Sequence, residues 1–109
     1  MKQEDKELLL KDLSARLPYG VKIRSFMADV KLNYDNYLGY IKLNCFRPYL
    51  RPMSSMTEEE NKEFQEIKLS YYFDEDSYIL LDWLNSHHFD FRNLIERGLA
   101  IDCTGLNIY

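Results

Sequence analysis

The chain is short of the residues that small domains commonly use as staples or as reactive groups. Two cysteines in 109 residues, Cys45 and Cys103, are too few for a disulfide framework and fit a reducing compartment, where buried thiols act as small hydrophobes. The four glycines, at 20, 39, 98 and 105, stand singly, which excludes a glycine-rich phosphate loop. The two histidines, His87 and His88, are adjacent. Neighbours on a helix point about 100° apart and do not chelate as an i,i+4 pair would, and no second ligand pair with zinc spacing accompanies them. The longest aliphatic run is Leu8-Leu9-Leu10, whereas a membrane span needs about 20 apolar residues. The charged start, Met1 to Glu7, has no apolar run of signal-peptide length behind it. The chain is therefore read as cytoplasmic. Internal repeats and low-complexity segments are absent too, so solenoid architectures fall away.

What is present is a globular composition with sorted charge. A chain of 109 residues reads as one domain, 1–109, that buries about 65% of its unfolded surface. It is 46% hydrophobic and 29% charged, unlike a disordered chain. Aromatics reach 15% and nine of them are Tyr, a ring suited to half-buried strand faces with its hydroxyl in water. Residues 1–56 carry ten Lys or Arg against six Asp or Glu; residues 57–109 carry four against twelve. Fields add over a surface, so such sorting bears on partners. It allows the acidic part to neutralise the basic part within one molecule, or between two copies head to tail.

Periodicity orders the elements. Leu9, Leu10, Leu13 and Leu17 recur at three- and four-residue steps and predict an amphipathic helix over 4–17. Glu7–Lys11 and Asp12–Arg16 support it at i,i+4, and Pro18 with Gly20 ends it. Val21-Lys22-Ile23-Arg24 and Val30-Lys31-Leu32-Asn33 alternate and predict strands of a small antiparallel sheet, either two short strands or one bulged strand about 26–29. Tyr34-Asp35-Asn36 predicts a turn, and 37–44 a returning strand with a bulge or close approach at Gly39. Pro48 and Pro52 mark 46–56 as a connector. Thr57 and Glu60 have capping-box spacing for a second helix with Phe64, Ile67 and Tyr71 on its apolar stripe. A loop at Asp74 to Ser77 precedes a third helix over 78–87 carrying Ile79, Leu80, Trp83 and Leu84, with Trp83 expected in the core. Asp90 is placed to cap a short fourth helix over 91–97, ended by Gly98. Leu99 to Asp102 reads as a last strand and Leu106 to Tyr109 as an apolar tail docked for stability.

Most of the candidate chemistry has a plainer explanation. His87, His88 and Asp90 are the end of one helix and the start of the next. Cys103 or Cys45 with a histidine supplies the residue types of a thiol nucleophile but no base-and-orienter spacing. Asp74-Glu75-Asp76 lacks the alternating ligands, central Gly and terminal Glu of a calcium loop. No catalytic residue, metal or cofactor is assigned. The stretch 18–56 stands apart, because Lys22, Arg24, Lys31, Lys42, Arg47 and Arg51 lie among Tyr34, Tyr37, Tyr40, Phe46 and Tyr49. Single-stranded nucleic acid is held by such a mixture, rings against bases and cations against phosphates. The candidates for that role are Lys22, Arg24, Lys31, Tyr37, Tyr40, Lys42, Arg47 and Arg51. A net charge of −4 opposes it, and an ordinary hairpin with a polar face competes with it.

Three stretches, LLLKDLSARLPYGVK (8–22), PYLRPMSSMTEEE (48–60) and WLNSHHFDFRNLIERGLAIDCTGLNIY (83–109), resemble a family of short uncharacterised proteins of gut bacteria, often found among phage-like or mobile-element genes. The resemblance implies no activity, cofactor or catalytic residue. It leaves out 23–44, where members are expected to differ and where it implies a partner-specific surface.

The expectation is thus an α+β domain: an N-terminal helix, a small antiparallel sheet, open or curled into a partial barrel, two or three further helices and a short last strand. The expected function is non-catalytic binding of another protein, or self-association, with a nucleic-acid-binding regulator using 21–51 as the alternative.

Overall fold

Leu9, Leu13 and Leu17 of the first segment wind onto one side of a helix, whereas Leu10, expected beside them, is exposed. The computed structural model describes residues 2–25, 28–43, 46–70 and 78–109, with backbone alone at 41–43 and 70, and its first helix, α1, spans Gln3–Arg16. Leu9 and Leu13 are buried, and Leu17 is buried in the 3-10 turn that follows. Gly20 then reverses the chain with φ 69°. That left-handed backbone favours glycine.

Among the described residues, five short strands form one mixed, open sheet: β1 Lys22–Arg24, β2 Asp29–Lys31, β3 Arg47–Pro52, β4 Phe89–Asp90 and β5 Ile101–Asp102. The α+β class holds, and the sheet does not close into a barrel. β1 pairs antiparallel with β2 and β3, while β4 and β5 run parallel to β3. The hinge of the sheet, β3, lies where the prolines suggested a connector. Pro48 and Pro52 share one parity with Leu50, whose carbonyl accepts from the Cys103 N–H at 3.0 Å. Both missing N–H groups therefore fall on the edge that β5 covers for only two residues, where no long ladder is broken.

A second correction concerns 37–44. The alternation predicts a strand, but the structure has a helix, α2, Tyr37–Leu43. Two asparagines decide the matter. Asn33 Oδ1 accepts from the N–H groups of Asp35 and Asn36, each at 2.9 Å, and Asn36 Oδ1 accepts from the Asn33 N–H at 2.9 Å. This side-chain clasp satisfies the free donors of a helix entry. Tyr37 and Tyr40, three residues apart, then pack together against the core.

The remaining helices follow their sequence signals. α3, Glu58–Ser70, begins with a formed capping box: Glu60 N–H donates to Thr57 Oγ1 at 3.1 Å and Thr57 N–H donates to Glu60 Oε1 at 3.0 Å. α4 spans Tyr78–Ser86. Its Trp83 is half-buried, within 5.8 Å of Phe64, 4.3 Å of His87 and 5.7 Å of Phe89 between ring centres. Segment 91–97 is a series of turns instead of a fourth helix. Asp90 does accept from Leu94 and Ile95 N–H groups, at 2.9 and 3.0 Å, but Asn93 has φ 58°, which no right-handed helix contains. Cys45, Tyr71 and the loop at 74–77 lie outside the described residues.

The core fills the space between α1 and one side of the sheet, with Leu9, Leu13, Ile23, Leu32 and Leu50 at its centre. Charge is embedded in it. Asp12 and Arg16 are fully buried and joined at 2.8 and 3.1 Å; Arg92 reaches Asp12 at 2.7 Å, and Arg16 donates to the Phe89 carbonyl at 2.5 Å. The i,i+4 pair read from sequence is thus an interior clamp between α1 and β4. Among the described residues, no helix is long and apolar enough to cross a membrane.

Candidate functional site

The strand register sorts the basic residues. Lys22 faces Lys31 and Arg24 faces Asp29 across β1 and β2, while Arg24 faces Arg47 across β1 and β3. Directly paired residues lie on the same sheet face, and alternate residues share it. Lys22, Arg24, Lys31, Arg47, Tyr49 and Arg51 therefore share the face opposite the core, with Asp29 among them. Five of the cations named from sequence come together in this way. Lys42 lies on α2, away from this face, and its side chain is outside the described residues.

Of the rings named with these cations, Tyr34 is exposed in the turn before α2, and the others are packed away. Tyr37 and Tyr40 pack on the core cluster that holds Ile23 and Leu50, so they offer no platform beside the cations. Phe46 is buried. Tyr49 is on the basic face but only 4% exposed, with its hydroxyl donating to Asp29 at 2.6 Å. That hydrogen bond to Asp29, with burial second, raises the Tyr49 pKa.

Two cations are already engaged. Arg51 makes a forked pair with Glu60 at 2.7 and 2.8 Å and lies 4.3 Å over the Phe89 ring. The guanidinium holds the Glu60 carboxyl down to about 2. Lys22 donates through Nζ to the Ile108 carbonyl at 2.8 Å. Arg24, Lys31 and Arg47 remain exposed.

Residues 103–109 cross this face as a strap, which sequence reasoning read only as a docked tail. Tyr109 is its anchor. Its hydroxyl accepts from the Lys22 N–H at 2.7 Å and donates to the Tyr49 carbonyl at 2.8 Å. Its ring stacks on His88, 3.5 Å between centres and 8° from parallel. Burial of the hydroxyl raises the Tyr109 pKa. Burial, with Arg16, Arg51, His87 and Lys22 around it, lowers His88 to about 4, so the ring is neutral at pH 7. The adjacent histidines thus serve different places: His87 stacks in the Trp83 cluster with Nδ1 2.8 Å from the Trp83 carbonyl, while His88 carries Tyr109.

A cleft lies on each side of the strap. One, about 500 Å³, is lined by Arg24, Ser25, Asp29, Tyr49, Leu106 and Ile108. The other, about 240 Å³, is lined by Arg51, Ser55, Cys103, Asn107, Ile108 and Tyr109. Burial raises the Cys103 thiol pKa, which keeps it protonated and poorly nucleophilic. Among the described residues, no three of His, Cys, Asp and Glu are placed to share a metal ion. Comparison with protein-family models, with curated proteins and with solved structures finds no match.

Proposed function

We propose that this chain is a non-catalytic protein-binding module whose basic sheet face receives an acidic segment of a partner protein. The observation that carries this reading is the register, which sets Arg24 and Arg47 side by side and exposed, with Lys31 on the neighbouring strand and the larger cleft beside Arg24. Partner carboxylates meeting such a row gain both attraction and orientation.

The nucleic-acid alternative has less support. It needs rings among the cations, yet Tyr37 and Tyr40 belong to the core side, Lys22 and Arg51 are engaged, and Asp29 sets a carboxylate opposite Arg24. Head-to-tail self-association remains the second protein reading, supported by the −8 balance of residues 57–109.

The test is affinity capture from nuclease-treated extract of the native host, with wild type and Arg24→Glu/Arg47→Glu compared. The expected result is a protein held by wild type and lost by the double variant, whose melting temperature is unchanged. Retention of the same partner by the double variant contradicts the reading, as does capture that vanishes on nuclease treatment.

A further inference from the structure

We propose that the strap is an internal stand-in for the partner: the groove it fills takes an extended segment of another protein in which tyrosine follows an aliphatic residue and acidic side chains flank the pair. The inference rests on the protein-binding reading above and names the chemistry that the partner brings.

The groove has a slot built for a phenol. β1 and β3 pair at Ile23–Pro48 and Arg24–Arg47, so Lys22 and Tyr49 are the next facing residues. Their backbone groups pair through a hydroxyl: Lys22 N–H donates to Tyr109 Oη at 2.7 Å and Tyr109 Oη donates to the Tyr49 carbonyl at 2.8 Å. One donor and one acceptor converge there, and a hydroxyl answers both at once; a phenyl ring answers neither and an ammonium cannot accept. His88 forms the floor under the ring. It is held at φ 63°, a backbone conformation uncommon outside glycine. Lys22 Nζ reads the carbonyl of the residue before the tyrosine.

None of these contacts needs the occupant to be covalently joined to residue 105. The strap is also partly exposed. Leu106 is 52% and Tyr109 44% exposed, and the approach contains two left-handed residues, Gly105 at φ 78° and Asn107 at φ 53°. It leaves a cleft open on each side. A longer incoming segment reproduces the tyrosine contacts and places its flanks in those clefts, where Arg24 stands ready for an acidic neighbour. Extended-segment recognition of this kind takes orientation from backbone hydrogen bonds and selectivity from side-chain pockets.

The experiment uses full-length, isotope-labelled protein and the acetylated peptide Thr-Gly-Leu-Asn-Ile-Tyr, followed by amide chemical shifts. On Tyr109→Ala, whose slot is vacated, the peptide is expected to shift Lys22, Tyr49 and His88, with half-saturation near about 1 mM as suits a short ligand. Wild type is expected to bind about tenfold more weakly, because its strap competes. The same peptide ending in Phe is expected to lose about tenfold, through the two unmade hydrogen bonds. Tyr109→Phe serves as a second receptor, keeping the ring and lacking the hydroxyl, should the alanine variant not fold. Absence of shifts at those residues, or equal binding of the Tyr and Phe peptides, overturns the proposal. A concentration-dependent dimer that Tyr109→Ala abolishes also overturns it, by assigning the slot to a second copy. If the peptide fails while capture of a partner still depends on Arg24 and Arg47, strap exchange falls and the protein-binding reading stands. If the peptide binds while capture ignores those arginines, the reverse holds.

Discussion

On the α1 side of the sheet, the buried charges are spent on the fold; on the strap side, charge is left over. Asp12, fully buried, takes both Arg16 and Arg92, so two guanidiniums and a carboxylate are locked between helix and sheet. On the opposite face, Arg24, Lys31 and Arg47 are exposed, with Asp29 as the carboxylate set among them by the register. The two sides differ in solvent access more than in composition. A buried cation left alone costs several kcal/mol, so the interior must pair its charges; an exposed cation costs little and remains available to another molecule. Unmatched charge on the outer face is a surface feature that a partner can complete, whereas the matched interior charge is scaffold.

Substitutions can break this contrast, and the largest effect belongs to the interior. Asp12→Ala strands Arg16 in the core and is expected to destabilise by about 3–5 kcal/mol, read as the shift of the urea unfolding midpoint. Replacing Asp12, Arg16 and Arg92 together by apolar residues sharpens the point, since it is expected to cost less than Asp12→Ala alone.

Acidification comes next. His88 has a folded pKa of about 4 against an ordinary value near 6.5, so below pH 6.5 the unfolded chain binds the extra proton. Stability from this group is complete above about pH 6.5, declines as pH falls toward 4 and is gone below it, a span of at most about 3 kcal/mol. Glu60, held to about 2 by Arg51, withdraws its contribution in a lower window, between its ordinary value of 4.5 and 2. His88→Asn, which tolerates the left-handed backbone, is expected to flatten the pH 4–6.5 portion of a melting-temperature profile and leave the lower portion.

Tyr109→Phe removes one oxygen and leaves the Lys22 N–H and Tyr49 carbonyl without their partner. A loss of about 1–2 kcal/mol is expected in denaturant unfolding. The smallest effect is on the outer face: Arg47→Ala is expected to stay within about 0.5 kcal/mol of wild type by the same measurement. A loss of several kcal/mol there would make Arg47 scaffold and erase the distinction between the faces.

Sequence periodicity revealed one of these sides better than the other. The leucine steps of α1, the capping box of α3 and the alternation about Ile23 and Val30 are local patterns, and each became the element it predicted. Tyr37–Leu43 misled because its β-favouring residues counted for less than the Asn33–Asn36 clasp, whose geometry depends on side-chain hydrogen bonds. β3 was hidden by two prolines that are harmless only because both face the same sparsely paired edge. For the site, the cations were readable and their common face was not, since that depends on register. The rings expected beside them were carried to the core when 37–43 became a helix. The tyrosine slot was out of reach altogether: Lys22 and Tyr109 are 87 residues apart, and Tyr49 and Tyr109 are 60.

Native-state amide hydrogen exchange tests the contrast most directly, because it measures how each side opens in the isolated protein, with no partner added. The Lys22 amide, held by the Tyr109 hydroxyl, is expected to exchange through local release of the strap, at least about 100-fold faster than the Leu13 amide, which opens only with the whole domain. Equal protection of Lys22 and Leu13 would show a strap that moves only when the protein unfolds, and would contradict the account of the outer face as a surface open to exchange.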